Sequence, residues 1–257
     1  MSSNPKDKLE DLIQILKKLR SPNGCEWDQE QTHESLIPYL LEETYEVIEA
    51  IEDKDYTLLK EELGDLLLHV IFQAELASEE NKFDIYDSIQ NINEKLIKRH
   101  PHIFSNQTNK SWQTGSWELA KQKEKKRASI LDGVPKALPA LTKAKRIQEK
   151  AAGVNFDWDN IAQVYNKVDE ELFELKEAIN AKKNDDIEEE LGDVLFTIVN
   201  LSRHIHINPE RALDKSISKF IDRFHKLENY MKKNKLDFKN QSVDELDQLW
   251  NQIKSKK

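Results

Sequence analysis

The phrase Glu-Glu-Leu-Gly-Asp occurs twice, at 61–65 and at 189–193, each time inside a long apolar-periodic stretch. It belongs to a larger repeat. Residues 40–72 and 168–200 align without a gap at an offset of 128, with 13 of the 33 positions identical, among them Glu42, Glu43, Glu46, Glu61, Glu62, Gly64 and Asp65. A period this long means a duplicated domain, because solenoid units run to about 20–50 residues. Whatever one half folds into, the other must match. Domains are expected at 1–130 and 131–257, divided at the Leu131-Asp132-Gly133-Val134-Pro135 break.

Helical spacing runs almost throughout. Leu9, Leu12, Ile13, Leu16 and Leu19 form an amphipathic stripe that stops at Ser21-Pro22-Asn23-Gly24, a turn-forming cluster. The pattern predicts further helices from Tyr39 to about Asp53, Leu58 to Ser78 and Ile85 to Lys98, the last closed by His100-Pro101. A polar loop at 105–116 and a charged helix at 117–127 come next. In the second half helices are expected over 139–152, 161–181, 187–206, 209–233 and 243–254, with an interruption at 153–157. Six glycines and seven prolines in 257 residues are too few breakers for a strand-rich sandwich or barrel. The expected fold class is all-α, as tandem duplicated helical bundles.

Several function classes drop out. A net charge of -9 argues against binding a nucleic acid polymer, which needs a basic surface. Cys25 is the only cysteine, so no intrachain disulfide can form. Met1 to Leu9 is polar, without a signal-peptide core, and no run approaches the roughly 18 apolar residues of a membrane span. A cytoplasmic protein with no membrane partner is expected.

The repeated acids carry the chemistry. Each half has Glu-x-x-Glu on one helix and Glu-x-x-Asp on the next: Glu43, Glu46, Glu62 and Asp65 first, then Glu171, Glu174, Glu190 and Asp193. Residues at i, i+3 share a helix face, and a short connection near 53–57 makes the two helices antiparallel neighbours. Four carboxylates can then converge. A lone Glu-x-x-Glu is usually a solvated face; two pairs at fixed spacing, present twice, are not. Converged acids repel one another unless a cation joins them, and an all-oxygen donor set suits Mg²⁺, or Mn²⁺ as a substitute, rather than zinc. Gly64 and Gly192 each cost about 1 kcal/mol in a helix interior and are expected to admit a helix or a substrate close to the backbone. Mg²⁺ on carboxylates commonly also holds substrate phosphates. Lys219 and Arg223, one turn apart, suit phosphate oxygens; Trp250 suits a nucleobase; Lys254 lies one turn beyond it. Taken singly, the basic pair reads as surface charge and Trp250 as packing. Together they describe a nucleotide polyphosphate site. The seven histidines form no repeated cluster and receive no role.

These residues resemble the MazG family of nucleoside triphosphate pyrophosphohydrolases in its two-domain form. The resemblance runs through GCEWDQEQTHESL (24–36), LLEETYEVIEAI (40–51), EELGDLL (61–67), KRHPHIF (98–104), DEELFELKEAI (169–179), EEELGDVLF (188–196) and KFIDRF (219–224). It implies an all-α fold of helical hairpins, a homodimer or higher homo-oligomer, and Mg²⁺-dependent hydrolysis of (d)NTP to (d)NMP and pyrophosphate. It further implies Glu171, Glu174, Glu190 and Asp193 as metal ligands, with Lys167, Glu170, Asp186, Glu189, Lys219, Arg223, Trp250 and Lys254 lining the nucleotide. The C-terminal copy is then the main catalytic domain, and the N-terminal copy an assembly unit or a weaker site. Retention of Glu43, Glu46, Glu62 and Asp65 as a second metal site speaks against that division, while Tyr39 at the position of Lys167 speaks for it. The expected step is water attack at the α-phosphorus, with Glu170 or Glu189 taking the proton because each adjoins a ligand. The alternatives are a nucleotide-binding regulatory module without turnover, a purely structural dimerisation protein, and a specialised dUTP or phosphoribosyl-ATP pyrophosphohydrolase.

Overall fold

The structure, a computed structural model, describes residues 8–104 and 127–255. The loop expected at 105–116 and the helix expected at 117–127, Arg127 apart, lie outside the described residues. Among the described residues every regular element is helical, as the spacing predicts. The chain divides into two compact units, Met1–Lys110 and Ser111–Lys257. The first contains α1 (Lys8–Arg20), α2 (Glu26–Glu30), α3 (Ile37–Asp53), α4 (Tyr56–Glu79), α5 (Ile85–Arg99) and the short α6 (Pro101–Phe104). The second contains α7 (Ala140–Ala152), α8 (Ile161–Ala181), α9 (Asn184–His204), α10 (Pro209–Lys233), a 3₁₀ turn at Phe238–Asn240, and α11 (Val243–Ser255).

Helix ends differ from the sequence expectation where a first turn of proline, capped or acidic residues extends a helix beyond its apolar stripe. The structure begins α3 at Ile37, before Pro38, and not at Tyr39; proline in a first turn gives up an N–H that has no intrahelical partner anyway. It begins α4 at Tyr56, not Leu58, because the Asp55 side chain accepts from the Thr57 and Leu58 amides at 2.9 and 3.0 Å. It begins α9 at Asn184, not Ile187, with Asp185 and Asp186 in the first turn, where acidic side chains oppose the helix dipole. The short α2, which carries Trp27, had no apolar periodicity to announce it.

One antiparallel hairpin dominates the packing of each unit, α3 on α4 in the first and α8 on α9 in the second. Their turns are alike. Lys54 closes α3 with a left-handed φ of 58° and Lys182 closes α8 at 56°. Asp55 and Lys183 then open the next helices. In the first unit α1 and α5 also pack on α4, and Ile13, Leu16, Leu36, Ile71, Phe72 and Ile85 form the core between them. In the second unit α7 and α10 pack on α9 and on each other, and α11 packs on α10. Val164, Val199, Leu227 and Met231 are buried there. Burial of this kind supplies most of the stability of amphipathic helices. Both hairpins nevertheless keep an apolar face open: Leu41, Tyr45, Ile48, Leu63 and Leu67 in the first, and Leu172, Phe173, Leu191, Leu195 and Phe196 in the second, are all exposed.

Candidate metal centre and nucleotide site

Within each hairpin the repeated acids face one another across the helix pair. In the first unit, oxygens of Glu43, Glu62 and Asp65 all lie within 4.8 Å of one another. In the second, Glu171, Glu174 and Glu190 do the same. The fourth acid of each set stands close enough to act electrostatically: Glu46 on Glu43 and Glu62, and Asp193 on Glu190. The i, i+3 spacing thus delivers both clusters, with a different trio closest in each half. Both hairpins share one register, so it accounts for the convergence but not for the different trio; one turn beyond the first cluster, Tyr39 on α3 meets His69 on α4. The Tyr39 and His69 rings are stacked, 6.4 Å between centroids and 10° between planes.

The charges are strained as gathered acids should be. Burial, followed by the like charges of Glu46, Asp65 and Glu62, pushes the Glu43 carboxyl up to about 7. Burial and the neighbours Glu46, Asp65 and Glu61 likewise raise Glu62, with a hydrogen bond to Glu43 acting the other way. Glu190 is raised by burial and then by Glu174, Asp193, Glu171 and Glu189. In the second half a lysine relieves part of this repulsion: Lys167 Nζ lies 2.8 Å from Glu171 Oε1 and 2.9 Å from Glu170 Oε1. Its hydrogen bonds to Glu171, then Glu170, hold it in the charged form above its ordinary pKa. Clustered, mutually repelling carboxylate oxygens with no nitrogen or sulfur among them fit a hard divalent cation.

The remaining sequence-predicted residues are dispersed around this centre. Asp186 is in the first turn of α9, paired with Lys183 at 3.3 Å. Glu189 is exposed on α9 beside Glu190. Lys219, Arg223, Trp250 and Lys254 belong to the α10–α11 pair. There Trp250 packs on Phe220 with centroids 5.1 Å apart, and Phe220 stacks on Phe224. Within the chain, then, this tryptophan packs on a ring of its own unit. Among the described residues, Lys219, Arg223 and Lys254 make no ion pair, and none joins them to the carboxylates.

Of the two occupants expected beside Gly64 and Gly192, a helix is ruled out among the described residues: a Cβ at either position would meet nothing within 4 Å. Both glycines border open space.

Residues 31–104 and 160–227 match the MazG nucleotide pyrophosphohydrolase domain, one segment in each half of the duplication. The chain belongs to the MazG family. A nucleoside triphosphate pyrophosphohydrolase/pyrophosphatase MazG from Thermotoga maritima is 49% identical over 247 residues, covering 95% of both chains. A nucleoside triphosphate pyrophosphohydrolase from Escherichia coli K12 is 40% identical, covering 96% of this chain and 97% of its own. The Bacillus subtilis protein YabN is 41% identical over 93% of this chain, which spans half of that relative. The family domain thus occurs twice along the chain, and each matched segment contains one of the two acidic hairpins.

The sequence reading missed three groups. Trp27, Tyr39 and His69 form an aromatic cluster beside the first carboxylates, with Trp27 edge-on to Tyr39 at 5.9 Å. Tyr39 lies one turn before Glu43 and His69 one turn after Asp65, a spacing that could have flagged them. Arg203 grips Asp157 in the second unit, with Nη1 to Oδ2 at 2.8 Å, and His204 Nε2 sits 3.2 Å from the same carboxylate. Burial works to raise Asp157, but Arg203 prevails and holds it below the usual range. This pair staples the 153–157 interruption to the end of α9. Lys150, fully buried, reaches the Ile130 carbonyl at 2.9 Å.

Proposed function

We infer that this chain hydrolyses nucleoside triphosphates to the monophosphate and pyrophosphate, and that the second of two domains, 1–130 and 131–257, is the main catalyst. The observation that carries the reading is the Glu171–Glu174–Glu190 cluster on a MazG hairpin, with a lysine beside it. Glu171, Glu174, Glu190 and Asp193 would hold Mg²⁺, or Mn²⁺ in its place. When bound, the cation supplies charge neutralisation and polarisation of phosphoryl oxygens. The chain's own residues do the rest. Lys167, Glu170 and Asp186 border the nucleotide. A carboxylate takes the proton as water attacks the α-phosphorus and the bond to the bridging oxygen breaks. Glu170 already commits an oxygen to Lys167, whereas Glu189 makes no ion pair among the described residues, so Glu189 is the freer acceptor. Lys219 and Arg223 offset charge on the departing pyrophosphate. Trp250 would stack on the base, and Lys254 adds a charge one turn on.

The open apolar face of α8 and α9, with Leu172, Phe173, Leu191 and Leu195 exposed, supports a homodimer or higher homo-oligomer that covers it. The cytoplasm, where the triphosphate pool lies, is the expected compartment; no described helix is long and apolar enough to cross a membrane. Product analysis tests the reaction. Monophosphate and pyrophosphate in equal amounts are expected as first products; diphosphate with orthophosphate would overturn attack at the α-phosphorus.

A further inference from the structure

Glu171 belongs to two groupings at once. It is a member of the Glu171–Glu174–Glu190 cluster, whose oxygens gather within 4.8 Å. It also holds Lys167 Nζ at 2.8 Å, and the same Nζ reaches Glu170 at 2.9 Å. The Glu171 side chain is only 7% exposed, so water and salt screen the lysine's charge weakly there. Lys167 itself is 33% exposed, on a flexible four-carbon stem that can carry the charge elsewhere while the helix stays as it is. The two halves part at this position. Tyr39 stands where Lys167 does, one turn before the matching glutamate. The closest trio of the first half includes Asp65, whereas its match Asp193 lies outside the closest trio of the second, where the lysine holds Glu171.

A lysine and a dication on one carboxylate repel each other. An ammonium hydrogen-bonded to Glu171 therefore lowers the affinity of the cluster for a cation, and a cation drawn to Glu171 loosens the lysine. A triphosphate offers the loosened ammonium anionic oxygens in exchange. We infer that Lys167 serves two partners in turn, Glu171 and then the triphosphate, so that the cluster binds its cation weakly alone and more strongly together with substrate. The coupling is reciprocal, as linkage between two ligands must be: the cation also strengthens the hold on the triphosphate. One side chain thereby keeps the carboxylates from committing to a cation that arrives without a substrate. The inference rests on the proposed reading of this cluster as the cation and triphosphate site, and adds to it the cooperative loading of the two.

The test uses the full chain with Glu43→Gln and Glu62→Gln, so that Mn²⁺ uptake followed by titration calorimetry reports the second cluster. Two titrations are compared: Mn²⁺ alone, and an α,β-imido nucleoside triphosphate at saturating Mn²⁺. Adding Lys167→Met should tighten binding of Mn²⁺ alone at least about fivefold, the upper scale of a partly screened ion pair. The same change should weaken the analogue at least about tenfold, the scale of one charge-assisted hydrogen bond. Circular dichroism should match the parent, because Lys167 is one-third exposed. Lys167→Arg keeps the charge and should leave binding of Mn²⁺ alone close to the parent's. Opposite signs in one variant are the signature. A lysine that only contacts phosphate would leave Mn²⁺ alone unmoved, and one that only braces the helix would weaken both ligands; either result overturns the inference. So does Lys167→Arg tightening Mn²⁺ as much as Lys167→Met. No Mn²⁺ uptake by the parent overturns this inference together with the cation reading of the proposed function, whereas uptake that ignores Lys167 overturns this inference alone.

Discussion

At the scale of single residues, the two acidic clusters invite paired substitutions. Glu171→Ala should lower hydrolysis of a (d)NTP panel with Mg²⁺ by at least about 100-fold, since even the partners of metal ligands cost about 10–100-fold. Glu43→Ala should leave most of the activity in place. Steady-state rates on both proteins decide whether the second half dominates. Glu189→Gln removes a proton acceptor without removing a ligand, so kcat should fall by roughly 10²–10⁴ while KM barely moves. Glu43 makes a stability prediction. Its folded pKa of about 7 lies above the ordinary 4.5. Between those values the folded chain keeps a proton that the unfolded chain has released, so stability of the metal-free protein falls as pH rises from about 4.5 to 7. Denaturant midpoints across that range should show the decline, and Glu43→Gln or added Mn²⁺ should flatten it. The acids themselves were legible in the sequence, because i, i+3 spacing on two antiparallel helices fixes which side chains meet. The Tyr39–His69 rung was not, because an aromatic or a histidine on an apolar-flanked helix reads as packing until its neighbour across the pair is known.

Among the helices, stability is set largely at the ends. Asn160 opens α8 with a reciprocal box: its Oδ1 accepts from the Ala162 and Gln163 amides at 3.0 and 3.2 Å, and Gln163 Oε1 accepts from the Asn160 amide at 3.3 Å. Asn160→Ala should cost about 1 kcal/mol by urea unfolding. Lys183, whose side chain caps nothing at the start of α9, should tolerate the same change. The first turns also explain where boundaries were and were not readable. Apolar periodicity gave the body of α3, α4, α8 and α9. It stopped short at Leu58 and Ile187 because Asp55 and the Asp185–Asp186 turn extend the helices through polar residues that carry no stripe. The α10–α11 pair shows the opposite limit. Lys219 and Arg223 share a face as the spacing says, but where that face points depends on packing that no local pattern encodes.

For the molecule as a whole, the open apolar faces are the feature to test. Leu172, Phe173, Leu195 and Phe196 leave more apolar surface on one hairpin than a lone helix pair normally tolerates in water. Phe173→Glu should shift sedimentation of the full chain toward monomer at micromolar concentration and lower hydrolysis with it. A monomeric wild type with full activity would show that the face is not an interface. The duplication was the plainest sequence signal of all, since an uninterrupted alignment of 33 positions admits no other architecture. Its structural expression is the matched pair of two-residue turns at Lys54–Asp55 and Lys182–Lys183. Because neither turn gained or lost a residue, every position in one hairpin has an address in the other. One polypeptide therefore carries its own control arm: a side chain exchanged between the halves is compared at identical concentration, temperature and history, and any difference that follows belongs to the swap alone.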